Sequence, residues 1–305
     1  MREYTVDLVI PVYRPDEKFD RLMQMLQKQS YPIKKILIMN TEKKYFPDRG
    51  YEKLPNVEVR HLSKEEFDHG GTRDSAASCL DGDLILFVTQ DAVPENEYLV
   101  ENLALAFQDA QVWAAYARQL PEPGCQLLER YTRSFNYPEK SSVKSMDDLP
   151  VYGIKTFFCS NVCAMYRRST YEKLGGFEKR TIFNEDMIFA GKIIQNGGSI
   201  AYVAEAEVVH SHNYGNAEQL KRNFDLAVSQ ADHPEIFTMA KSESEGIRMV
   251  KQSVKYLVRI RKPWMIGSLL VKSGCKFLGY KLGKNYHRLP KWMVLKLTMN
   301  RSYWK

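Results

Sequence analysis

No apolar run in this sequence approaches the ~20 residues that a membrane-spanning helix requires, which excludes a helical integral membrane protein. Nothing at the start reads as a secretion leader, because Met1-Arg2-Glu3-Tyr4 passes directly into a strand-like run, Val6 to Val12. Cysteine is scarce. The five thiols (Cys79, Cys125, Cys159, Cys163 and Cys275) are odd in number and scattered, which excludes a disulfide framework and points to reduced thiols in a cytoplasm. Cys159-x3-Cys163 has no second pair to complete a zinc site and reads as two small core residues. Internal repeats and low-complexity tracts are absent. Acid is missing altogether from residues 246–305, which hold ten Lys and five Arg for a local charge of +15. The first 245 residues carry a charge of −8, so a functional boundary is expected near Ser242 to Gly246.

What is present suits one α/β core with an appendage. The chain has 305 residues, 44% hydrophobic and 27% charged, enough to bury a sizeable core. Val6 to Tyr13, Lys35 to Met39, Val57 to Leu62 and Asp83 to Val88 read as strands. Lys18 to Gln29 and Asp74 to Leu80 read as helices between them. That alternation predicts a mostly parallel sheet with helices on both faces and ligands at the carboxyl ends of its strands. Further on, Cys159 to Tyr166, Ser199 to Val203 and Glu207 to His210 are expected as strands. Ser169 to Leu174, Glu185 to Asn196 and residues 216–245 are expected as helices.

Four constellations carry chemistry, and each has a plainer reading beside it. Thr89-Gln90-Asp91 closes the buried strand at 83–88, so Asp91 either faces a cation and a departing pyrophosphate or caps a helix near Pro94. Asn184-Glu185-Asp186 opens a helix, where carboxylates are favoured by the dipole and one of them could act as a general base. His210 and His212, two apart on an extended segment, share a face as metal ligands would, or form a structural pair. Phe67-Asp68-His69-Gly70-Gly71-Thr72-Arg73-Asp74 makes either a loop where backbone and Arg73 approach an anion, or an ordinary turn.

In order and spacing these pieces resemble the inverting family-two glycosyltransferases of GT-A, Rossmann-like fold. The resemblance rests on Pro11-Val12-Tyr13, His69-Gly70-Gly71-Thr72-Arg73 and Thr89-Gln90-Asp91-Ala92 in a nucleotide-binding half of about 1–120. In an acceptor half, 121–245, it rests on Phe157-Phe158-Cys159-Ser160-Asn161, Gly175-Gly176-Phe177, Asn184-Glu185-Asp186-Met187 and His210-Ser211-His212. Ala117-Arg118-Gln119-Leu120-Pro121, Phe67-Asp68 and Thr89-Gln90-Asp91 are closest to the bacterial rhamnosyltransferase branch. The resemblance implies that Pro11, Tyr13, Asn40, Asp68, Arg73 and Gln90 bind the nucleotide, and that Arg118 and Gln119 hold the donor sugar. It implies Asp186 as catalytic base with Glu185 beside it, and Gly176 and Phe177 on the acceptor side. A divalent ion, Mg2+ or Mn2+, would be held by Asp91 with His210 or His212. The branch uses dTDP-β-L-rhamnose, so inversion onto a lipid-linked cell-surface polysaccharide would give an α-linkage. Alternatives are another hexose from a UDP- or dTDP-sugar, and a non-catalytic binder of sugar nucleotide or glycan. Thr89 and Asn40 replace acids that the wider family carries, leaving fewer carboxylates for a metal.

From Ile247 the apolar residues Ile247, Val250, Val254 and Leu257 recur at helical spacing beside Arg248, Lys251, Lys255, Arg259 and Lys262. That is a basic amphipathic helix. Trp264, Phe277, Tyr280, Tyr286, Trp292, Tyr303 and Trp304 follow among lysines. An anionic membrane surface is the favoured partner, which would place the protein peripherally on the inner face of the cell membrane. Nucleic acid is a disfavoured rival, and a basic cover folded onto the acidic body is a third reading.

Overall fold

The structure, a computed structural model, describes residues 3–240 and 242–304. The opening Met1-Arg2, Lys241 within the stretch expected as a helix, and Lys305 of the basic tail lie outside the described residues. The strands are β1 (Val6–Tyr13), β2 (Ile33–Thr41), β3 (Val57–Leu62), β4 (Leu84–Val88), β5 (Val93–Pro94), β6 (Val112–Leu120), β7 (Ser142–Lys144), β8 (Cys163–Arg167) and β9 (Ser199–Val209). Helices α1 (Glu17–Leu26), α2 (His69–Ala77), α3 (Leu99–Leu105), α4 (Leu127–Asn136), α5 (Leu149–Tyr152) and α6 (Arg168–Lys173) cover the first part. They are followed by α7 (Glu185–Gln195), α8 (Asn216–Asp232), α9 (Pro234–Phe237), α10 (Ser242–Arg259), α11 (Ile266–Lys284) and α12 (Lys291–Leu297).

One sheet runs in the order β3-β2-β1-β4-β8-β6-β9-β5, with β7 on β9. The first four strands are parallel, and β6 pairs with β9 in parallel. β8 is antiparallel to both β4 and β6. Two reversals restore the direction, so β1, β2, β4, β6 and β9 all point their carboxyl ends at the same edge. β8 starts at that edge. Side chains alternate across the sheet: Leu8, Ile10 and Val12 enter one core layer with α1 and α3, while Val9 enters the other with α2 and α7. Pro11 lies beyond the last β1–β4 pair, Val9 and Phe87, so its missing N–H breaks no bond to β4.

Several elements differ from the expectations. The Gly70-Gly71 stretch is helix, not loop: α2 begins at His69 because the Asp68 carboxylate accepts the Gly71 N–H at 2.5 Å and caps it. No helix starts near Pro94; residues 93–94 pair with Val208–Val209, and α3 begins only at Leu99. The two short strands at 199–203 and 207–210 are one strand, whose irregularity between Val203 and Glu207 had read as a break. Strand β6 and helix α4 had no expectation. Val112-Trp-Ala-Ala-Tyr-Ala-Arg-Gln-Leu120 has no β-branched run, and becomes a strand by pairing on both sides. The helix expected over 216–245 stops at Asp232, ahead of Pro234.

The basic tail is docked, not free. Gly279 and Gly283 of α11 let it approach α8 so closely that a Cβ would lie 2.1 Å from the Leu220 carbonyl oxygen and 2.3 Å from that of Phe224. Val294 of α12 joins Phe224, Val228 and Ile182 in a small core, and Tyr256 of α10 stacks on Tyr131 of α4 at 4.2 Å. The Ile247, Val250, Val254, Leu257 stripe is graded, from exposed Ile247 to fully buried Leu257.

Candidate active site

The carboxyl edge gathers the polar residues. At β4 the turn Thr89-Gln90-Asp91 leads into β5, and the pairing of Val93 with Val209 sets Asp91 beside the end of β9. Asp91 Oδ2 lies 3.5 Å from His210 Nε2 and 3.3 Å from His212 Nε2. Those three form the only cluster of metal-ligating groups among the described residues. Gln119 Oε1 accepts the His210 Nδ1–H at 3.0 Å, and Arg133 donates to the same oxygen. An amide oxygen can only accept, so the proton sits on Nδ1 and the Nε2 lone pair faces Asp91. Burial holds both imidazoles neutral, with His212 down at about 4 by burial and then by His210. The three residues each turn one ligand atom to a common point, all within 4.8 Å of one another, and two imidazoles with one carboxylate are a donor set that fits a divalent ion.

A second cluster lies on α7. Asn184, in the left-handed region at φ 64°, turns the chain so that Glu185 and Asp186 occupy the first turn. Asp186 Oδ2 accepts the Asn161 N–H at 3.0 Å and Oδ1 that of Met187 at 2.8 Å. Glu185 is buried, paired with Arg73 at 3.2 Å and bonded by the Asn161 amide at 3.3 Å. Burial would raise the Glu185 carboxyl, yet Arg73 and His69 hold it down. Burial, then the charge of Glu185, pushes Asp186 up to about 7. A partly exposed carboxylate poised at neutrality is what a general base needs. The two clusters share a link: the Gln119 amide donates to Ser160 Oγ at 3.1 Å, and the next residue, Asn161, holds Asp186.

The remaining expected residues divide. Gln90 bonds the Tyr13 backbone twice, at 2.7 and 3.1 Å, tying the ends of β1 and β4 together. Tyr13 is exposed there, edge-on to Tyr45 at 5.9 Å with Arg14 4.3 Å above the Tyr45 ring. Asn40 is buried, its amide against His61 at 2.9 Å and its oxygen unpaired. Arg73, only 5% exposed, points from α2 into Glu185. Gly70 permits this, since a Cβ there would lie 1.9 Å from the Glu178 carbonyl oxygen. Asp68 is occupied as the cap of α2. Strand alternation turns Arg118 from Gln119 toward Glu207 and Glu139, at 3.1 and 3.4 Å. Phe177, 2% exposed, packs among Phe87, Tyr166 and Phe189. Gly176, at φ 67°, brings the turn against Asp74. Sequence reading missed Arg133, because α4 was not foreseen. Ser160 and Asn161 lay in a noted motif, but nothing in the sequence assigns them partners.

Residues 7–175 match the family described as Glycosyl transferase family 2. The chain belongs to that family. Among similar family-2 relatives, the O-antigen chain rhamnosyltransferase RfbN of Salmonella typhimurium is 39% identical over 302 residues, 98% of this chain and 96% of the relative. The O-antigen chain rhamnosyltransferase WbaN of Salmonella anatum is 38% identical, over 97% and 95% of the two chains. Among solved structures, the mannosyltransferase PcManGT from Pyrobaculum calidifontis in complex with GDP-Man and Mn2+ matches with TM-score 0.58 at 14% identity, covering 97% of this chain and 85% of that one. S. aureus TarS 1–349 in complex with UDP-GlcNAc matches with TM-score 0.54 at 14% identity, over 93% and 91%. At those identities the likeness establishes the GT-A-like fold.

Proposed function

We propose that this family-2 glycosyltransferase moves L-rhamnose from dTDP-β-L-rhamnose, with inversion, to a lipid-linked cell-surface polysaccharide. The observation that carries the reading is Asp186, a carboxylate poised at about 7 and joined through Asn161 and Ser160 to the Asp91, His210, His212 triad. Identity near 40% over almost the whole chain to two O-antigen rhamnosyltransferases supports the choice of sugar.

Asp186 takes the proton from an acceptor hydroxyl as that oxygen attacks the anomeric carbon and the bond to the diphosphate breaks. The N-terminus of α7 and the Asn161 N–H keep the carboxylate aimed. Tyr13, exposed at the end of β1, offers its ring to the nucleobase. Asp91, His210 and His212 are the residues to hold a divalent ion, whose chemistry is to neutralise the leaving diphosphate. Two imidazoles with one carboxylate favour Mn2+ over Mg2+, which prefers oxygen ligands.

The protein works on the inner face of the cell membrane, held peripherally by residues 246–305. No helix among the described residues is long and apolar enough to cross a membrane. In support, Leu270, Val271, Phe277 and Leu278 are exposed on the side of α11 away from α8, Phe277 at 57%. Trp264, 73% exposed, and Trp292 flank them, among lysines without a single acid. Turnover across a panel of sugar nucleotides tests the donor. Preference for a hexose other than rhamnose would overturn that part of the reading.

A further inference from the structure

A cavity of about 170 Å³ lies apart from both clusters, where β6, β7 and β9 meet α4, α5 and α10. Its walls are the rings of Tyr116, Phe135, Tyr152, Phe158 and Tyr202, with Lys155 and Arg248 at the rim. The proton chemistry at Asp186 uses none of them. The walls are fixed in place. Tyr202 donates its hydroxyl to the Pro138 carbonyl at 2.6 Å, and Tyr116 packs against Tyr202 and Phe158 at 5.2 and 5.5 Å. Buried Lys144 ties the Lys155 and Phe158 carbonyls together at 2.9 and 2.6 Å. Lys155 and Arg248 share Glu245, at 3.2 and 3.0 Å, and both lie over the Phe135 ring.

Position gives the cavity a use. Tyr116, Phe158 and Tyr202 belong to the core layer that also holds α7, so the cavity and Asp186 lie on one face of the sheet. Phe158 is three residues before Asn161, whose N–H holds Asp186, so their Cα atoms are at most ~11 Å apart. That limit keeps the cavity within reach of a short oligosaccharide whose terminal sugar sits at the base. Resting on the reading of this chain as a transferase to a polysaccharide, we propose that the cavity binds a pyranose ring of the acceptor glycan, on the reducing-end side of the sugar that is glycosylated. Rigid rings suit the apolar C–H faces of a pyranose, and Asn136, Ser142 and Lys155 offer polar partners to its hydroxyls. Arg248 belongs to α10, so the basic extension forms one wall and the glycan leaves the cavity toward the helices proposed to meet the membrane.

The test uses the full-length protein and two acceptors: the shortest glycoside the wild type elongates, and that glycoside extended at its reducing end by two sugars. Tyr152 is exposed, so Tyr152→Ala leaves the core intact. KM for the longer acceptor should rise roughly threefold to tenfold, with kcat and the donor KM unchanged, because binding remote from the reacting atoms is lost equally in ground and transition states. KM for the short acceptor should not move. Tyr152→Phe, which keeps the ring, should restore wild-type values, and Arg248→Ala should repeat the length-dependent effect. An equal change for both acceptors, or none for either, overturns the proposal. Failure of the rhamnose reading shows separately, in the donor panel run without these variants.

Discussion

Asp186 carries the sharpest consequences of single side chains. Asp186→Asn keeps the shape but cannot accept a proton, so kcat should fall ~10²–10⁴-fold while calorimetry shows donor affinity nearly unchanged. In the wild type, kcat/KM should climb as pH rises through about 7, since the base must first lose its proton. Stability runs the other way. The folded carboxyl titrates above its unfolded value, so the folded state holds the extra proton between about 4 and 7, and stability falls across that window as pH rises. Asn mimics the protonated form; the variant should melt near the wild type at pH 5 and above it at pH 8. Gln119 acts through another residue. Gln119→Leu removes the acceptor that fixes the proton on His210 Nδ1, and should weaken Mn2+ binding ~10–100-fold in a titration of the metal alone. An unchanged Mn2+ affinity would detach Gln119 from the metal triad.

At the scale of elements, two close approaches set the site. The β5–β9 pairing brings Asp91 to the histidines, although more than a hundred residues separate them in sequence. The α8–α11 contact supports the loop that leads into Asp186, because α8 binds that loop from behind. Its Leu226 carbonyl accepts the Asn184 amide at 3.1 Å, and Ser229 donates to the Phe183 carbonyl at 2.6 Å. A methyl at Gly279 would press on backbone, which cannot give way. Gly279→Ala should cost ~1–3 kcal/mol in urea denaturation and lower kcat more than it raises the donor KM. Loss of stability with an undisturbed kcat would show that α8 does not steady the base loop.

For the whole molecule, the charge break near residue 245 marks a change of surface rather than a detachable piece. Removing residues 246–305 would bare Phe224 and Val228 and the loop at Ile182, so the truncated body should aggregate. A folded, active truncation would contradict that. The membrane reading is better tested on the intact chain. Sedimentation with phosphatidylglycerol vesicles should exceed that with neutral vesicles, and should weaken in 1 M salt, where screening shortens to ~3 Å. Trp264→Ser with Phe277→Ser, both exposed, should reduce it without unfolding the protein.

How much the sequence determined depends on the range of the cause. Strands β1 to β4 and the first turn of α7 follow from local apolar runs, turn residues and first-turn acids, so the parallel half and the Glu185-Asp186 pair were legible. The basic extension was legible as charge. Tertiary structure decided the rest. β6 is a strand only because β8 and β9 flank it, and Gly70-Gly71 is helix because Asp68 caps it and Glu178 packs on it. Arg73, Arg118 and Phe177 carry residue types suited to a ligand, yet helix position, strand alternation and the aromatic core turn them toward protein partners. A side chain's type is written in the sequence; the direction it faces is fixed by what packs around it.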